Sequence, residues 1–244
     1  IHMILNSKIT LCLNKLFCID LRALAVFRFF LGLVLLCDLI ARLADLVVFY
    51  TDAGALSREV VIPRQNNWAV SIHLVNGTAA YQVALFLIHG FCAIAVMLGW
   101  HTRLATVFSW FLLSSLHFRG PELLYGADKY LLMLMFWSMF LPLGAKWSLD
   151  SVRDPTRHQR PQRICTWASA AILIQTALVY FVTGLVKWPS IAWQEGTALF
   201  YSLNVEIMVK EFGRMLLNFP HFLKAGSHAA LYLEITGPVL LFFP

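Results

Sequence analysis

The sequence predicts an all-α, polytopic membrane bundle of about six transmembrane helices, with interfacial amphipathic helices beside it. Three observations carry that expectation. The 244 residues are 59% hydrophobic and only 13% charged, with a mean hydropathy of +0.71, a composition that would make a soluble surface sticky everywhere. The apolar residues gather in runs close to the length that crosses a bilayer. Lysine and arginine concentrate in alternate loops, as the positive-inside rule requires. The net charge of +6 follows from that distribution, so the implied partner is the lipid bilayer and not nucleic acid.

The apolar runs cover 24–48, 79–99, 104–118, 130–143, 164–186 and 228–244. The third and fourth fall short of the ~20 residues that cross a hydrocarbon core, so their flanks, or a bilayer thinned near a cavity, must complete them. No internal repeat or low-complexity segment interrupts the chain, which reads as a single domain over 1–244. It carries no Walker loop, no glycine-rich dinucleotide motif, no H-E-x-x-H and no C-x-x-C.

Orientation follows from the loops. Lys8, Lys15 and Arg22 precede the first run, Arg103 follows the second, and Lys146, Arg153, Arg157, Arg160 and Arg163 follow the fourth. The alternate loops balance their cations with Asp52, Glu59, Glu122, Asp128, Glu195, Glu206 and Glu211. Both termini are therefore expected in the cytoplasm of a cell-membrane protein, with Arg119, Asp128 and Lys187 on the outer side. Cys12, Cys18 and Cys165 fall on the inner side and Cys37 and Cys92 within spans, so no outer disulfide is expected. His73, His117, His221 and His228 share the outer side, but their spacing matches no ligand pattern and no metal is expected.

Two amphipathic stretches flank the runs. Leu5, Ile9, Leu13 and Leu16 form one face within 1–20 and suit an interfacial helix on an anionic inner leaflet. Val205, Met208, Val209, Phe212, Met215 and Leu216 form another, opposite Glu206, Lys210, Glu211 and Arg214. That second helix reads either as a cover for the bundle or as a lid beside a lipid-facing entrance.

Charges inside apolar runs are costly, by roughly 2.5–3.5 kcal/mol each on insertion scales, so they mark a polar interior. Asp38 and Arg42 stand four apart on one helical face and are expected to form a buried structural pair. Arg28 lies near the inner end, where it can snorkel to headgroups. Glu234, two turns into the sixth run, needs a partner or a proton. Asp128 is placed to cap the fourth helix, and Arg119 to bind a carboxylate, a phosphate or a lipid headgroup. Lys187 ends the fifth run just before Trp188 and Pro189. It reads in two ways: an interfacial anchor beside a tryptophan, or a base, because a lysine kept from water gives up its proton more readily.

Four stretches carry a resemblance: FRFFLGLVLLCDLIARLADLVVFYTDAGALSR (27–58), LHFRGPELLYGADKYLL (116–132), FLPLGAKWSLD (140–150) and YFVTGLVKWPSIAWQEG (180–196). They resemble the HTTM family, the horizontally transferred transmembrane domain shared with vitamin K-dependent gamma-glutamyl carboxylase. The resemblance implies an outward-facing site in which a lysine deprotonates vitamin K hydroquinone. Lys187 matches the family's lysine, and Trp193, Glu195 and Gly196 match the Trp-x-Glu-Gly that follows it. A histidine that the carboxylase uses at the head of the fourth span falls near Ala127 here. The carboxylase's large lumenal C-terminal domain has no counterpart within 1–244, and other relatives include bacterial factors that help mature secreted peptide toxins.

Two functions follow from the resemblance. One is carboxylase-like quinol chemistry, with Lys187 catalytic, Arg119, Asp128, Trp188, Trp193 and Glu195 binding the substrate, a quinone or vitamin K hydroquinone as cofactor and no metal. The other is a non-catalytic membrane factor for maturation or export of a peptide or partner protein.

Overall fold

The structure, a computed structural model, describes residues 16–65, 70–154, 156, 161–205 and 209–242. The interfacial face within 1–20 lies mostly outside them. The described chain forms two compact units: Cys18–Ser169, and Ala170 onwards together with the N-terminal segment that ends at Phe17.

The first unit opens with a short strand, β1 (Cys18–Asp20), and continues with helices α1 (Leu21–Leu43), α2 (Ala79–Leu98), α3 (Thr102–Arg119) and α4 (Gly126–Ser138). Asp20 starts α1 by accepting the Arg22 backbone N–H at 2.8 Å. α1 then runs 23 residues, roughly 34 Å at 1.5 Å per residue, enough to cross a hydrocarbon core. α1 packs along α2, α2 along α3 and α3 against α4. Leu31, Leu35, Ala93, Leu113, Leu131 and Met135 form the apolar core between them.

The outer surface of this unit is apolar, and polar side chains are buried beside its apolar core. Phe30, Val34, Leu87, Phe91, Leu104 and Phe108 face outward, while Arg28, Gln82, His89, Ser109, His117 and Arg119 are buried. Only a hydrocarbon surround makes that arrangement favourable, since water would penalise both surfaces.

α2 ends at Gly99, whose φ of 72° lies in the left-handed region, and Gly99 also leaves room for the Arg28 guanidinium. Arg28 does not snorkel to headgroups. It is 2% exposed and donates to the carbonyls of Trp147 at 2.7 Å and Leu143 at 3.4 Å. The irregular backbone after α4 frees those carbonyls, and an inward arginine satisfies them.

Asp150, on the short helix Leu149–Arg153, caps α3 from a distance. It accepts the backbone N–H groups of His101 and Thr102, each at 2.8 Å, and the Thr102 hydroxyl at 2.5 Å. Burial pushes the Asp150 carboxyl up, but the hydrogen bonds from Thr102 and the His101 backbone outweigh it and hold the group below the usual carboxylate range. A carboxylate with a lowered folded pKa stabilises the fold above its unfolded value, and that contribution is lost as pH falls through the folded one. Asp150→Ala is therefore expected to cost about 1 kcal/mol at neutral pH, the usual worth of a helix cap. The difference from the parent should shrink below about pH 4, as followed by thermal unfolding in detergent.

A second strand, β2 (Arg163–Cys165), pairs antiparallel with β1, Cys18 standing opposite Cys165. The two cysteines form a disulfide, a pairing that the sequence expectation did not include. A separation of 147 residues and strands of three residues leave no periodic signal to find it by.

The second unit contains most of α5 (Trp167–Lys187), the short helices Ile191–Gln194, Ala198–Leu203 and Glu211–Leu216, and α6 (Pro220–Leu240). Gly184 of α5 meets α6: a Cβ there would lie 2.6 Å from Ile235. Ser227 of α6 accepts the Leu199 backbone N–H at 3.1 Å and so ties the helix Ala198–Leu203 to α6. The amphipathic face over 205–216 is helical only from Glu211. Lys210 is extended, and 206–208 lie outside the described residues.

α1, α2 and α5 are the described helices long and apolar enough to cross a membrane, with mean hydropathies of 2.3, 2.0 and 1.9. α3 is diluted by serines, threonines and its terminal cation. α4 is only 13 residues long, and α6 carries Lys224 and Glu234.

Candidate functional site

Each unit holds a cluster of charges on helices that otherwise face lipid. In the first unit the cluster is centred on Arg42, in the last turn of α1, where a cation suits the helix dipole. Its Nε donates to both oxygens of Asp38, at 2.8 and 3.0 Å. One Nη donates to Asp128 at 2.6 Å and the other to the Tyr50 hydroxyl at 3.1 Å. The side chains of Arg42, Asp38 and Asp128 are 13%, 21% and 13% exposed, so solvent screens the pairs little.

The pair expected within one helix is thus part of a four-residue cluster. Asp128 stands in the first turn of α4, where an anion suits the dipole, and its other oxygen accepts the Tyr125 backbone N–H at 2.6 Å. It therefore joins α1 to α4. Arg119 is fully buried and donates to the Leu56 carbonyl at 2.7 Å, so it ties the end of α3 to the loop after α1.

That loop is held from above by Arg58, which donates to both oxygens of Asp52, at 2.8 and 3.1 Å, and to the Val75 carbonyl at 2.9 Å. Hydrogen bonding from the Arg58 side chain keeps the Asp52 carboxyl below its usual range.

In the second unit the cluster is centred on Lys187, at the last turn of α5. Its Nζ donates to both carboxylate oxygens of Glu234 on α6, at 2.6 and 2.8 Å. The same nitrogen lies 4.5 Å from the centre of the Trp193 ring, a cation–π contact. Trp188 packs its ring near Tyr232, with centroids 6.4 Å apart, and Tyr232 in turn lies 6.5 Å from the His228 ring. His228 Nε2 lies 3.0 Å from the Gln194 carbonyl, which fixes the turn carrying Trp193 against α6. The Lys187 side chain keeps 25% exposure against 13% for Arg42, while Glu234 at 18% is as enclosed as Asp38 at 21%.

The carboxylate that meets Lys187 is Glu234, and Glu195 is an exposed residue closing the helix Ile191–Gln194. Lys187, Trp188 and Trp193 come together in the second unit, whereas Arg119 and Asp128 belong to the first. The partner was visible only as a demand: Lys187 and Glu234 were each a charge in an apolar run without a local mate. Among the described residues no group of three or more histidine, cysteine, aspartate or glutamate side chains could hold a metal ion.

The family model of the HTTM domain matches residues 18–244. The chain belongs to the HTTM-domain family. No solved structure matches it. The HTTM match and the apolar helices together make this a membrane protein, and the match runs through both units and both charge clusters.

Proposed function

We propose that this HTTM domain is a membrane enzyme that binds a quinol beside Lys187 and uses the lysine as its base. One observation carries the reading. An accessible lysine is held between a carboxylate and an indole face, on helices that otherwise face lipid.

The residues present fit an aromatic ligand. Trp188, Trp193 and Tyr232 offer planar faces for a ring, and the Lys187 amine lies against one of them. A bound quinol supplies an acidic hydroxyl and a ring that can be oxidised. The base role requires Lys187 to be neutral when a ring hydroxyl meets it; Glu234, bonded to Nζ at 2.6 Å, would take that proton and orient the amine, and Trp193 would keep the nitrogen in place.

A second reading, a non-catalytic factor for maturation or export of a peptide, draws on the same ion pair. Both carboxylate oxygens bind one ammonium across two helices, which suits a clamp.

Solvent extraction of the purified protein, read by absorbance, tests the first reading. Near-stoichiometric quinone is expected from the parent, and up to about tenfold weaker retention from Trp193→Ala, the loss of one aromatic contact. A parent that retains no quinone and binds no added naphthoquinol would leave the clamp reading in its place.

A further inference from the structure

The first unit buries more unpaired polar groups than a dry bundle tolerates. Gln82 and His89 of α2, Ser109, His117 and Arg119 of α3, and His73 of the turn before α2 are each at most 4% exposed. Among their atoms, His73 Nε2, both nitrogens of His89 and His117, Ser109 Oγ, and Arg119 Nε and Nη1 have no hydrogen-bond partner. The Ser109 backbone carbonyl is close enough to one His89 nitrogen for a poorly aligned hydrogen bond, and the ring lies within electrostatic range of His73 and His117. His117 is likewise within range of Arg42 and Asp128.

The orphaned atoms state which ligand they need. Gln82 Nε2 donates to the carbonyls of His73 and Asn76, at 2.8 and 2.7 Å, so the Gln82 oxygen is left to accept. His73 Nδ1, 2.7 Å from that oxygen, must therefore carry the proton, and its Nε2 is a bare acceptor. Each neutral imidazole of His89 and His117 offers one donor and one acceptor, as does the Ser109 hydroxyl. Arg119 Nε and Nη1 offer donors only. A metal cation needs acceptors alone and would be repelled by Arg119. An anion needs donors alone and would meet the lone pairs of three histidines. A molecule that donates and accepts in equal measure satisfies the whole set, and water does so.

We propose that the α2–α3 interface holds a blind column of ordered water, entered from the end of the bundle marked by Ala79 and Arg119. His89 and Ser109 each lie ten residues from that end, roughly 15 Å at 1.5 Å per residue, near the middle of a hydrocarbon core. The column stops there. Beyond it Ala93, Val96 and Ala105 are buried and apolar, and Thr106 has already spent its hydroxyl on the Thr102 carbonyl at 2.7 Å. Water in the column lets His73, His89 and His117 exchange protons with the end of the bundle, next to Asp128, without opening a path across the membrane. The proposal is independent of the quinol reading.

Cysteine accessibility tests it. With Cys12, Cys37 and Cys92 replaced by alanine, Ser109→Cys introduces an isosteric thiol inside the column, and Ala93→Cys, one turn of α2 beyond His89, places one in the apolar core past its floor. Silver ion, close to water in size, should modify the thiol at 109 at least about tenfold faster than that at 93, since thiol chemistry requires access and ionisation in water. Equal rates would overturn the column. A readout on the unsubstituted protein guards against misfolding. X-ray radiolysis of bound water should oxidise buried His89 while the equally buried core residue Met135 is spared, and an intact His89 would also overturn it.

Discussion

Replacing Arg42 by alanine is expected to lower the stability of the protein by about 3–5 kcal/mol, the usual cost of stranding buried charge. One guanidinium serves Asp38, Asp128 and Tyr50. Its removal leaves two carboxylates facing each other in a region that lipid, not water, surrounds. Arg42→Lys should recover only part of the loss, because an ammonium cannot fork to three partners in fixed directions. The informative variant is the triple change Arg42→Met, Asp38→Asn and Asp128→Asn. With no charge left to strand, it should be more stable than Arg42→Ala alone. Thermal unfolding in detergent reads all three. An Arg42→Ala protein within about 0.5 kcal/mol of the parent would show that water reaches the cluster.

The Arg42 cluster also shows how far local pattern reaches. Asp38 and Arg42 are four apart on one helix, so their pairing is written in the helical period. Asp128 lies 86 residues from Arg42, and nothing in spacing joins them. The same limit applies to Lys187 and Glu234, 47 residues apart: each was legible as a charge needing compensation, and only the packing of α5 and α6 joins them. The helices themselves were legible because apolar runs of this length have few alternatives in a bilayer. Their ends were less so. Arg28 reads as a snorkelling residue from its position, yet the free carbonyls of Leu143 and Trp147 draw it inward. His73 and His117 were legible only as outer-side histidines whose spacing matches no ligand pattern, because spacing runs along the chain, whereas both lie within electrostatic range of His89 in the folded unit.

The two clusters differ in what surrounds them, and that difference favours Lys187 over Arg42 for the proposed chemistry. Arg42 has a partner on each nitrogen: Asp38, Asp128 and Tyr50 each accept from one, and little of the side chain is exposed. An arginine also cannot act as a base near neutral pH. Lys187 is bonded on one side only, by Glu234, and faces an indole and open space on the others. A group that must meet a substrate needs that open side. The chemistry proposed for this HTTM domain therefore falls on Lys187, and the Arg42 cluster holds the first unit together.

Lys187→Arg separates the base from the clamp. Arginine keeps the positive charge, reaches Glu234 and can lie over Trp193, so the ion pair and the fold are expected to persist, with thermal stability within about 1 kcal/mol of the parent. It cannot present a neutral nitrogen, because the guanidinium does not deprotonate in proteins. Quinol-dependent turnover should fall by about 10²–10⁴-fold, the usual contribution of a positioned base, while quinone retention stays close to that of the parent. Glu234→Gln divides the roles further. It removes the proton acceptor but leaves an amide that can still hydrogen-bond Lys187, so turnover should fall more than binding does. Lys187→Met removes charge, hydrogen bonds and base together and strands Glu234, so stability and turnover should drop in the same variant. The clamp reading predicts the reverse ordering, with arginine substituting freely and methionine alone harmful. Full turnover in Lys187→Arg, measured on protein that still retains quinone, would remove the lysine from the chemistry and leave it as the link between α5 and α6.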